Sequence, residues 1–407
     1  MRLMRFLGSN AEKQGQQIFT ITTGLDHAVA ESFARWRGQR IGILCHPASV
    51  DQKYTHIIDR AAEAKLNVTA LFGPEHGITG FAQYMEVVAE HPDPRLGCLV
   101  HSLYGTSAAS LTPTPEMLAG IDTVLIDLLD IGTRFYTFVW SAVLMMRACA
   151  RAGVKVVVLD RPNPLGGLVT EGGGVDNGFY SFVGLYDVPV RHGLTIGEML
   201  TLVKREENLN VELEVVCCTG WQRQPLRHGE YAWVYPSPNM PTLDTALVYP
   251  GMCLFEATNV SEGRGTNKPF EVFGAPFIDG TALARELTAL AEPGVTFRAL
   301  QFRPMFQKFS GHLCGGVQMH VTDPAAFHSF RMGVQIVRLL QQMYARDFAW
   351  RKEPYEFVTD VNAFDLLCGT ADYREAFGDE GRFDRVFAER EERADAFLER
   401  RRSALLY

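Results

Sequence analysis

The chain has 407 residues, 47 % of them hydrophobic, and its 39 lysine and arginine residues against 47 aspartate and glutamate residues give a formal net charge of −8. This length and composition are typical of a soluble globular protein with room for two packed cores. The acidic balance offers no basic surface for a nucleic-acid backbone, and acidic residues interrupt the apolar runs well before the roughly 20 residues of a membrane-spanning helix. The sequence therefore predicts neither a nucleic-acid partner nor a membrane partner.

The first half of the chain alternates between predicted strands and helices. Runs rich in Val, Ile and Leu predict buried strands at 40–46, 68–73, 122–131 and 155–160. Helical patterns occupy 51–65 and 138–152. Alternation of this kind predicts right-handed crossovers and a parallel sheet with helices on both faces.

A further helix and strand follow at 195–207 and 211–218, where Thr195 and Glu198 have the spacing of a capping box. Residues 220–277 are rich in Pro, Gly, Asn and aromatic residues, with no period that supports a long helix. We expect this stretch to form ordered functional loops.

The composition changes again after residue 279, where a helix, two strands about a Gly-rich connection and an amphipathic helix are predicted. The tail from Tyr373 should be helical and pack back on the body of the protein. The sequence thus predicts an α/β protein: a Rossmann-like parallel-sheet domain at 19–278 and a second, smaller α+β domain at 279–407.

Motifs for a bound cofactor are missing from the sequence. The eight cysteines are scattered, with no C-x-x-C pair, and should be buried free thiols. The glycine-rich nucleotide motifs, H-E-x-x-H and G-x-S-x-G do not occur. We therefore expect no cofactor and no bound metal.

Polar residues follow three of the predicted strands at the edge where open α/β sheets bind ligands. These candidates are Glu75, His76, Asp130, Arg134, Tyr136, Asp160, Arg161 and Asn163. Each group also has a structural interpretation, because Pro74 and Gly77 can form a simple turn, Asp127 can be a satisfied buried carboxylate, and Asp160 can hold Arg161 in a rigid loop.

A second polar stretch covers 235–242 and 247–276 and contains Asn239, Asn259, Glu262 and Arg264. Amide, hydroxyl and carboxylate groups near aromatic rings suit the recognition of a sugar. The alternative is a long loop that its own Asn, Ser and Thr side chains hold together.

These motifs carry a resemblance to a known family. They include LFGPEHGITG (71–80), DLLDIGTRFYTF (127–138), VLDRPNPLGG (158–167), the block from PSPNMP to SEGRGTNKPFEVFGAP (236–276) and YEF (355–357). In this order they resemble the exo-β-N-acetylmuramidase family from about Thr23 to the C-terminal region. The resemblance implies a Rossmann-like domain with a smaller C-terminal domain, and an enzyme that removes N-acetylmuramic acid from the non-reducing ends of peptidoglycan fragments.

The resemblance also implies a site between the two domains, with Glu75 as the leading catalytic carboxylate. Glycoside cleavage needs a proton donor and a second group that attacks or activates water. We assign Glu75 as the general acid and Glu262 as the second group, with Tyr136 or the acetamido group of the substrate as alternatives. The residues expected to bind the sugar are Arg134 or Arg264 at its lactyl carboxylate, Asn163, Asn239 and Asn259 at its hydroxyl and acetamido groups, and His76 and Asp130 beside them.

Two other functions remain open from the sequence: a non-catalytic receptor for a saccharide or muropeptide, and a metal-dependent hydrolase built on Glu75, His76 and Asp130. The first 13 residues lack the apolar core of a secretory signal, which predicts a cytoplasmic protein, although members of the family are often exported. Residues 81–90 differ from the more polar, Gly-containing pattern of the family, so different contacts to the leaving group are expected.

Overall fold

A computed structural model describes residues 19–81 and 90–407. The N-terminal segment that favours a cytoplasmic location, and most of the unusual segment 81–90, lie outside these residues. The main sheet of the described chain has seven strands in the order β3-β4-β2-β1-β5-β6-β7, all parallel except β3, which is antiparallel to β4. The strands are β1 (Ile41–Cys45), β2 (Val68–Gly73), β3 (His91–Pro92), β4 (Leu99–Ser102), β5 (Thr123–Asp127), β6 (Lys155–Leu159) and β7 (Leu213–Val216).

The four strands predicted from apolar runs form the centre of this sheet. β1 pairs with β2 on one side and β5 on the other, and β1 and β5 are buried at every position, which explains their continuous apolar sequences. The predicted strand at 122–131 is too long, because pairing with β1 stops at Asp127 opposite Cys45. Leu128, Leu129 and Ile131 are buried in a loop, so their apolar character reflects burial and not sheet pairing.

The helices of the first part of the chain flank the sheet. They are α1 (Gly24–Ala30), α2 (Ile57–Glu63), α3 (Pro115–Leu118), α4 (Phe138–Ala152), α5 (Ile196–Glu206) and α6 (Leu243–Met252). α4 occupies its predicted residues, and the predicted capping box opens α5. α2 starts later than predicted because the Asp51 side chain accepts the backbone N–H groups of Lys53 and Thr55 and holds a turn there.

Helix α6 lies in the stretch where the sequence analysis expects only loops. Nine of its ten residues are buried, and it contains Pro250. A helix that is buried on all sides has no polar face and therefore no 3.6-residue hydrophobic period. This is the physical reason why the pattern of residues 220–277 does not reveal it.

The second part of the chain forms a smaller antiparallel sheet covered by helices. Its three strands have the order β8-β10-β9, and β8 precedes residue 279. The elements are β8 (Val272–Ala275), α7 (Gly280–Ala289), β9 (Val295–Phe302), β10 (Cys314–Val321), α8 (Ser329–Met343), α9 (Ala363–Cys368), α10 (Asp372–Ala376) and α11 (Glu380–Arg401). The protein is therefore an α/β fold with a second, smaller sheet region.

The two parts of the chain share one hydrophobic core. A contiguous cluster runs from Met146 of α4 through Phe255 to Phe364 of α9. The tail is helical as predicted, and at its end Arg401 donates hydrogen bonds to the carbonyl oxygens of Gly167, His192 and Gly193. Packing and hydrogen bonds thus fix the second region against the carboxyl edge of the main sheet.

Two further predictions concern the cysteines and the possibility of a membrane-spanning helix. All eight cysteines are free, as predicted, and six of them are buried, whereas Cys98 and Cys217 are partly exposed. Within residues 19–81 and 90–407, no helix has the length and apolar character needed to cross a membrane.

Gly24 at the start of α1 lies directly against the ends of β6 and β7. A Cβ atom there would lie 2.4 Å from the carbonyl oxygen of Val216 and 2.5 Å from the amide nitrogen of Asp160. Because both neighbours are backbone atoms, we expect Gly24→Ala to lower the free energy of unfolding by about 1 to 3 kcal/mol, measured by urea denaturation. Gly378→Ala is the control, since its Cβ meets no atom within 4 Å, and should leave stability unchanged or raise it by about 0.4 to 1 kcal/mol. Equal stability of the two variants would contradict this packing.

Candidate active site

A pocket lies where the loops after β2 and β5 meet the second region. It encloses about 530 Å³ of space, a figure that includes its open mouth. Its aromatic lining includes Phe135, Phe138, Tyr249 and Phe270. Its polar lining consists of Glu75, His76, Tyr136, Thr137, Ser237, Asn239, Glu256, Arg264, Tyr355 and Glu356.

Glu75 reaches this pocket from the turn that follows β2. The N–H of Gly77 donates to the carbonyl oxygen of Pro74 at 2.9 Å, and His76 between them has a left-handed backbone with φ of 67°. The side chain of Glu75 is buried, and Oε2 accepts a 2.8 Å hydrogen bond from the hydroxyl of Thr137, the residue before α4. His76 Nε2 lies 4.0 Å from Glu75 Oε1. The segment is therefore a tight turn, and that turn also presents a carboxylate to the pocket.

Tyr136 lies in the same pocket and is held by its neighbours. Its hydroxyl donates to Ser237 Oγ at 2.9 Å, and its ring contacts Phe138 and Tyr249 edge-on. Burial raises the pKa of Tyr136 well above its usual value, and the nearby carboxylates raise it further. The phenol is therefore neutral at physiological pH and acts as a hydrogen-bond donor unless a base removes its proton.

Glu356 is a pocket residue that the sequence analysis did not single out. It lies in a short hairpin turn closed by Tyr355 and Val358, and Oε2 accepts a 3.2 Å hydrogen bond from the hydroxyl of Tyr104. Burial raises the pKa of Glu356 well above its usual value, and the charges of Glu75 and Glu256 raise it further. The only signal in the sequence was the tripeptide YEF among the family-like motifs, far along the chain from the other candidates.

Arg264 also lines the pocket and is bound to two carboxylates. Its Nη2 atom lies 2.8 Å from Glu256 Oε1, its Nη1 atom lies 3.8 Å from Glu262 Oε1, and its guanidinium group lies over the ring of Phe270. The neighbouring carboxylates outweigh the effect of burial and raise the pKa of Arg264 above its usual value. A permanent positive charge therefore stands at the pocket wall.

Glu262 lies behind Arg264 and is not among the described residues that line the pocket. Its carboxylate accepts a 2.9 Å hydrogen bond from Lys308 Nζ. Although burial alone would raise it, the charges of Lys308 and Arg264 hold the pKa of Glu262 below its usual value. Glu262 is thus an ionised carboxylate already engaged by two cations.

Two residues predicted to bind substrate instead hold the loops that follow β5. Arg134 is fully buried and donates to the carbonyl oxygens of Gly173, Val188 and Leu367. Asp130 accepts the N–H of Gly132 at 2.6 Å and lies 3.6 Å from Nε2 of His192. Neither belongs to the described residues that line the pocket.

Of the three asparagines predicted to bind substrate, one lines the pocket and two hold backbone segments. Asn239 lines the pocket together with His76. Asn163 bonds the backbone of Leu194 and Leu165. The side chain of Asn259 bonds the backbone of Asp347 and Ala349, and in the described chain neither Asn163 nor Asn259 lines the pocket. The structure thus brings together five predicted site residues: Glu75, His76, Tyr136, Asn239 and Arg264.

Two further candidates from the sequence are explained by one ion pair. Asp127 is fully buried and accepts two hydrogen bonds from Arg161, at 2.5 and 2.9 Å. The interpretation of Asp127 as a satisfied buried carboxylate is therefore confirmed. The expectation that Asp160 holds Arg161 is wrong, because Asp160 instead accepts hydrogen bonds from Thr195, Gly197 and Tyr407. As for metals, the described part of the chain contains no group of three or more His, Cys, Asp or Glu side chains arranged to hold an ion.

The pocket contains three glutamate carboxyl groups, of which Glu256 is paired with Arg264. Carboxyl groups in an aromatic-walled pocket are the arrangement expected of a glycoside hydrolase, and comparison with known proteins agrees. Residues 41–244 match the family model described as exo-beta-N-acetylmuramidase NamZ, N-terminal, and residues 247–407 match the corresponding C-terminal model. The chain is 39 % identical over 389 residues to the peptidoglycan beta-N-acetylmuramidase NamZ of Bacillus subtilis (strain 168), covering 95 % of this chain and 91 % of that protein.

Solved structures show the same relationship. Two crystal structures of DUF1343 family proteins from Bacteroides fragilis NCTC 9343 superpose with TM-scores of 0.86 and 0.72, at 31 % and 26 % identity. They cover 96 % and 95 % of this chain and 100 % and 99 % of their own. The chain belongs to the exo-β-N-acetylmuramidase family, and it is a glycoside hydrolase.

Proposed function

We propose that the protein removes N-acetylmuramic acid from the non-reducing ends of peptidoglycan fragments, with acid–base catalysis by Glu75. The observation that carries this proposal is the position of Glu75, whose carboxylate leaves the end of a buried strand and enters an aromatic-walled pocket beside a second carboxyl group. The substrate class rests on family membership, since the B. subtilis relative is named for peptidoglycan.

The lining of the pocket provides groups for each part of such a sugar. Amide and hydroxyl groups of Asn239 and Ser237 can bond its polar substituents, and the aromatic walls can cover its apolar face. Arg264 supplies a cation for the lactyl carboxylate. Of the second groups considered from the sequence, Tyr136 shares the pocket with Glu75, whereas Glu262 is engaged with Lys308.

The direct test is incubation with a chromogenic N-acetylmuramide and, in parallel, with the matching N-acetylglucosaminide. We expect release of the chromophore from the muramide only, and release of N-acetylmuramic acid from the non-reducing end of the disaccharide in which it is linked to N-acetylglucosamine. Binding of the chromogenic muramide and of the disaccharide without turnover of either would indicate a receptor and would reject the proposal. Loss of activity on addition of a chelator would instead support the metal-dependent alternative.

The proposed role of Arg264 predicts a selective loss of affinity. Arg264→Lys keeps a positive charge but loses the planar pair of donors that a carboxylate accepts. We expect it to weaken binding of N-acetylmuramic acid by about 10- to 100-fold, the equivalent of roughly 1.5 to 3 kcal/mol, and to leave binding of N-acetylglucosamine unchanged, both measured by calorimetry. Arg285→Lys, at an exposed side chain, is the control. An equal loss of affinity for both sugars would contradict the proposal that Arg264 binds the lactyl carboxylate.

A further inference from the structure

Glu356 provides the pocket with a carboxyl group from the second region of the chain. It lines the same pocket as Glu75, which follows β2 of the main sheet, and only 5 % of its residue surface is exposed. Because Glu356 is far from Glu75 along the chain, its local sequence does not predict that the two side chains line the same pocket. Building on the proposed function, we propose that Glu356 is the proton donor of the reaction and that Glu75 is the base, in place of the general-acid role that the sequence analysis assigns to Glu75.

The local backbone holds Glu356 in one position. Glu356 and Phe357 both have left-handed φ values, 45° and 68°, in a hairpin turn closed by two hydrogen bonds between Tyr355 and Val358. For residues other than glycine, such conformations are strained and cluster at functional sites. The hydroxyl of Tyr104 then fixes the carboxyl group itself through its 3.2 Å hydrogen bond.

The surroundings of Glu356 favour its protonated form. It is buried beside Glu75 and Glu256, and neighbouring carboxyl groups in a poorly hydrated pocket do not all ionise readily. The hydroxyl of Thr137 holds the carboxyl group of Glu75 in the same pocket through its hydrogen bond. When one of two neighbouring carboxyl groups stays protonated, it can act as the acid and the other as the base, as in other hydrolases.

The reaction then balances with one water molecule. The O–H bond of Glu356 breaks as its proton moves to the glycosidic oxygen, and the bond from that oxygen to the anomeric carbon breaks with its electron pair staying on the oxygen. Water bonds to the anomeric carbon and gives a proton to the carboxylate of Glu75. Return of a proton from Glu75 to Glu356 through solvent restores the starting state. Glu75 thus performs the base half of the acid–base catalysis proposed above.

Glu356→Gln tests this division on two substrates: the natural disaccharide, whose leaving oxygen needs a proton, and a 4-nitrophenyl muramide, whose leaving group needs none. We expect kcat/KM on the disaccharide to fall by about 10² to 10⁴-fold and kcat/KM on the aryl substrate to fall much less. Glu75→Gln should lower both values strongly, because water must still be activated. Thermal unfolding of each variant checks that it is folded.

Tyr104→Phe gives a second, independent readout. It keeps both carboxyl groups and removes a hydrogen bond that favours the ionised form of Glu356, so the pKa of Glu356 should rise. The basic limb of the kcat/KM profile, where the proton donor loses its proton, should therefore move to higher pH. The variant retains the other titratable or charged groups around the pocket, which are Glu75, His76, Tyr136, Tyr249, Glu256, Arg264, Arg351 and Tyr355.

Several outcomes would overturn the inference while leaving the proposed function intact. These are an equal loss on both substrates in Glu356→Gln, no loss on either, a selective sparing of the aryl substrate by Glu75→Gln instead, or an unmoved basic limb in Tyr104→Phe. If Glu356→Gln does not fold, the position of the basic limb in the kcat/KM profile of Tyr104→Phe tests the inference instead. Failure of the proposed function looks different, because the wild-type protein would then cleave neither muramide.

Discussion

Glu75→Gln is expected to lower kcat on the disaccharide of N-acetylmuramic acid and N-acetylglucosamine by about 10² to 10⁴-fold, the usual contribution of general acid–base catalysis. Glutamine keeps the shape of the side chain and can still accept the hydrogen bond from Thr137. It has no carboxyl group that can gain or lose the proton. Because the pocket is otherwise unchanged, substrate binding should survive and the loss should appear in kcat.

The measurement is steady-state kinetics with a separate binding experiment on the inactive variant. Glu212→Gln is the matched control, since it makes the same chemical change at an exposed surface carboxylate that pairs with Lys155, and it should have wild-type kinetics. Turnover of the disaccharide by Glu75→Gln at the wild-type rate would reject the catalytic assignment. A variant that fails to bind would show instead that Glu75 contributes mainly to affinity.

Arg161→Met is expected to lower the free energy of unfolding by about 3 to 5 kcal/mol, the cost of removing one partner from a buried ion pair. Arg161 bonds both carboxylate oxygens of Asp127, the hydroxyl of Tyr231 and the carbonyl oxygen of Val50. Since Asp127 is fully buried at the end of β5, methionine would leave its charge without a cation in the centre of the sheet.

Arg40→Met provides the comparison for this prediction. Arg40 pairs with Asp122 at the other end of β5, where both side chains are well exposed, at 53 % and 40 %. An exposed pair of this kind contributes roughly 0.2 to 1 kcal/mol. Chemical denaturation of both variants measures the difference in the free energy of unfolding. Similar losses of stability would contradict the expectation that breaking the buried ion pair costs more than breaking the exposed one.

The elements predicted well from the sequence are those whose environment is uniform along their length. β1, β2 and β6 are buried on both faces in a parallel sheet except at Thr69 and Lys155, so their apolar runs match the strands to within a residue or two. α4 and α5 have recognisable ends, including the capping box at Thr195. The pattern failed for α6 and for the end of β5, where burial persists but the backbone hydrogen bonding is different.

The amino-acid sequence by itself determined which residues leave the strand ends, and the strand–turn motif after β2 placed Glu75 at the carboxyl edge of the sheet. Only the tertiary structure decided which of those side chains share a pocket. Arg134 satisfies three backbone carbonyl groups in the core, whereas Arg264, from a loop of similar composition, stands at the pocket wall. Glu356 enters the site from the second region because packing of the shared core brings its hairpin against the main sheet. A local motif sets where the backbone turns, but the direction of a long side chain and its charged neighbours depend on contacts between segments far apart in the chain, which no local pattern encodes.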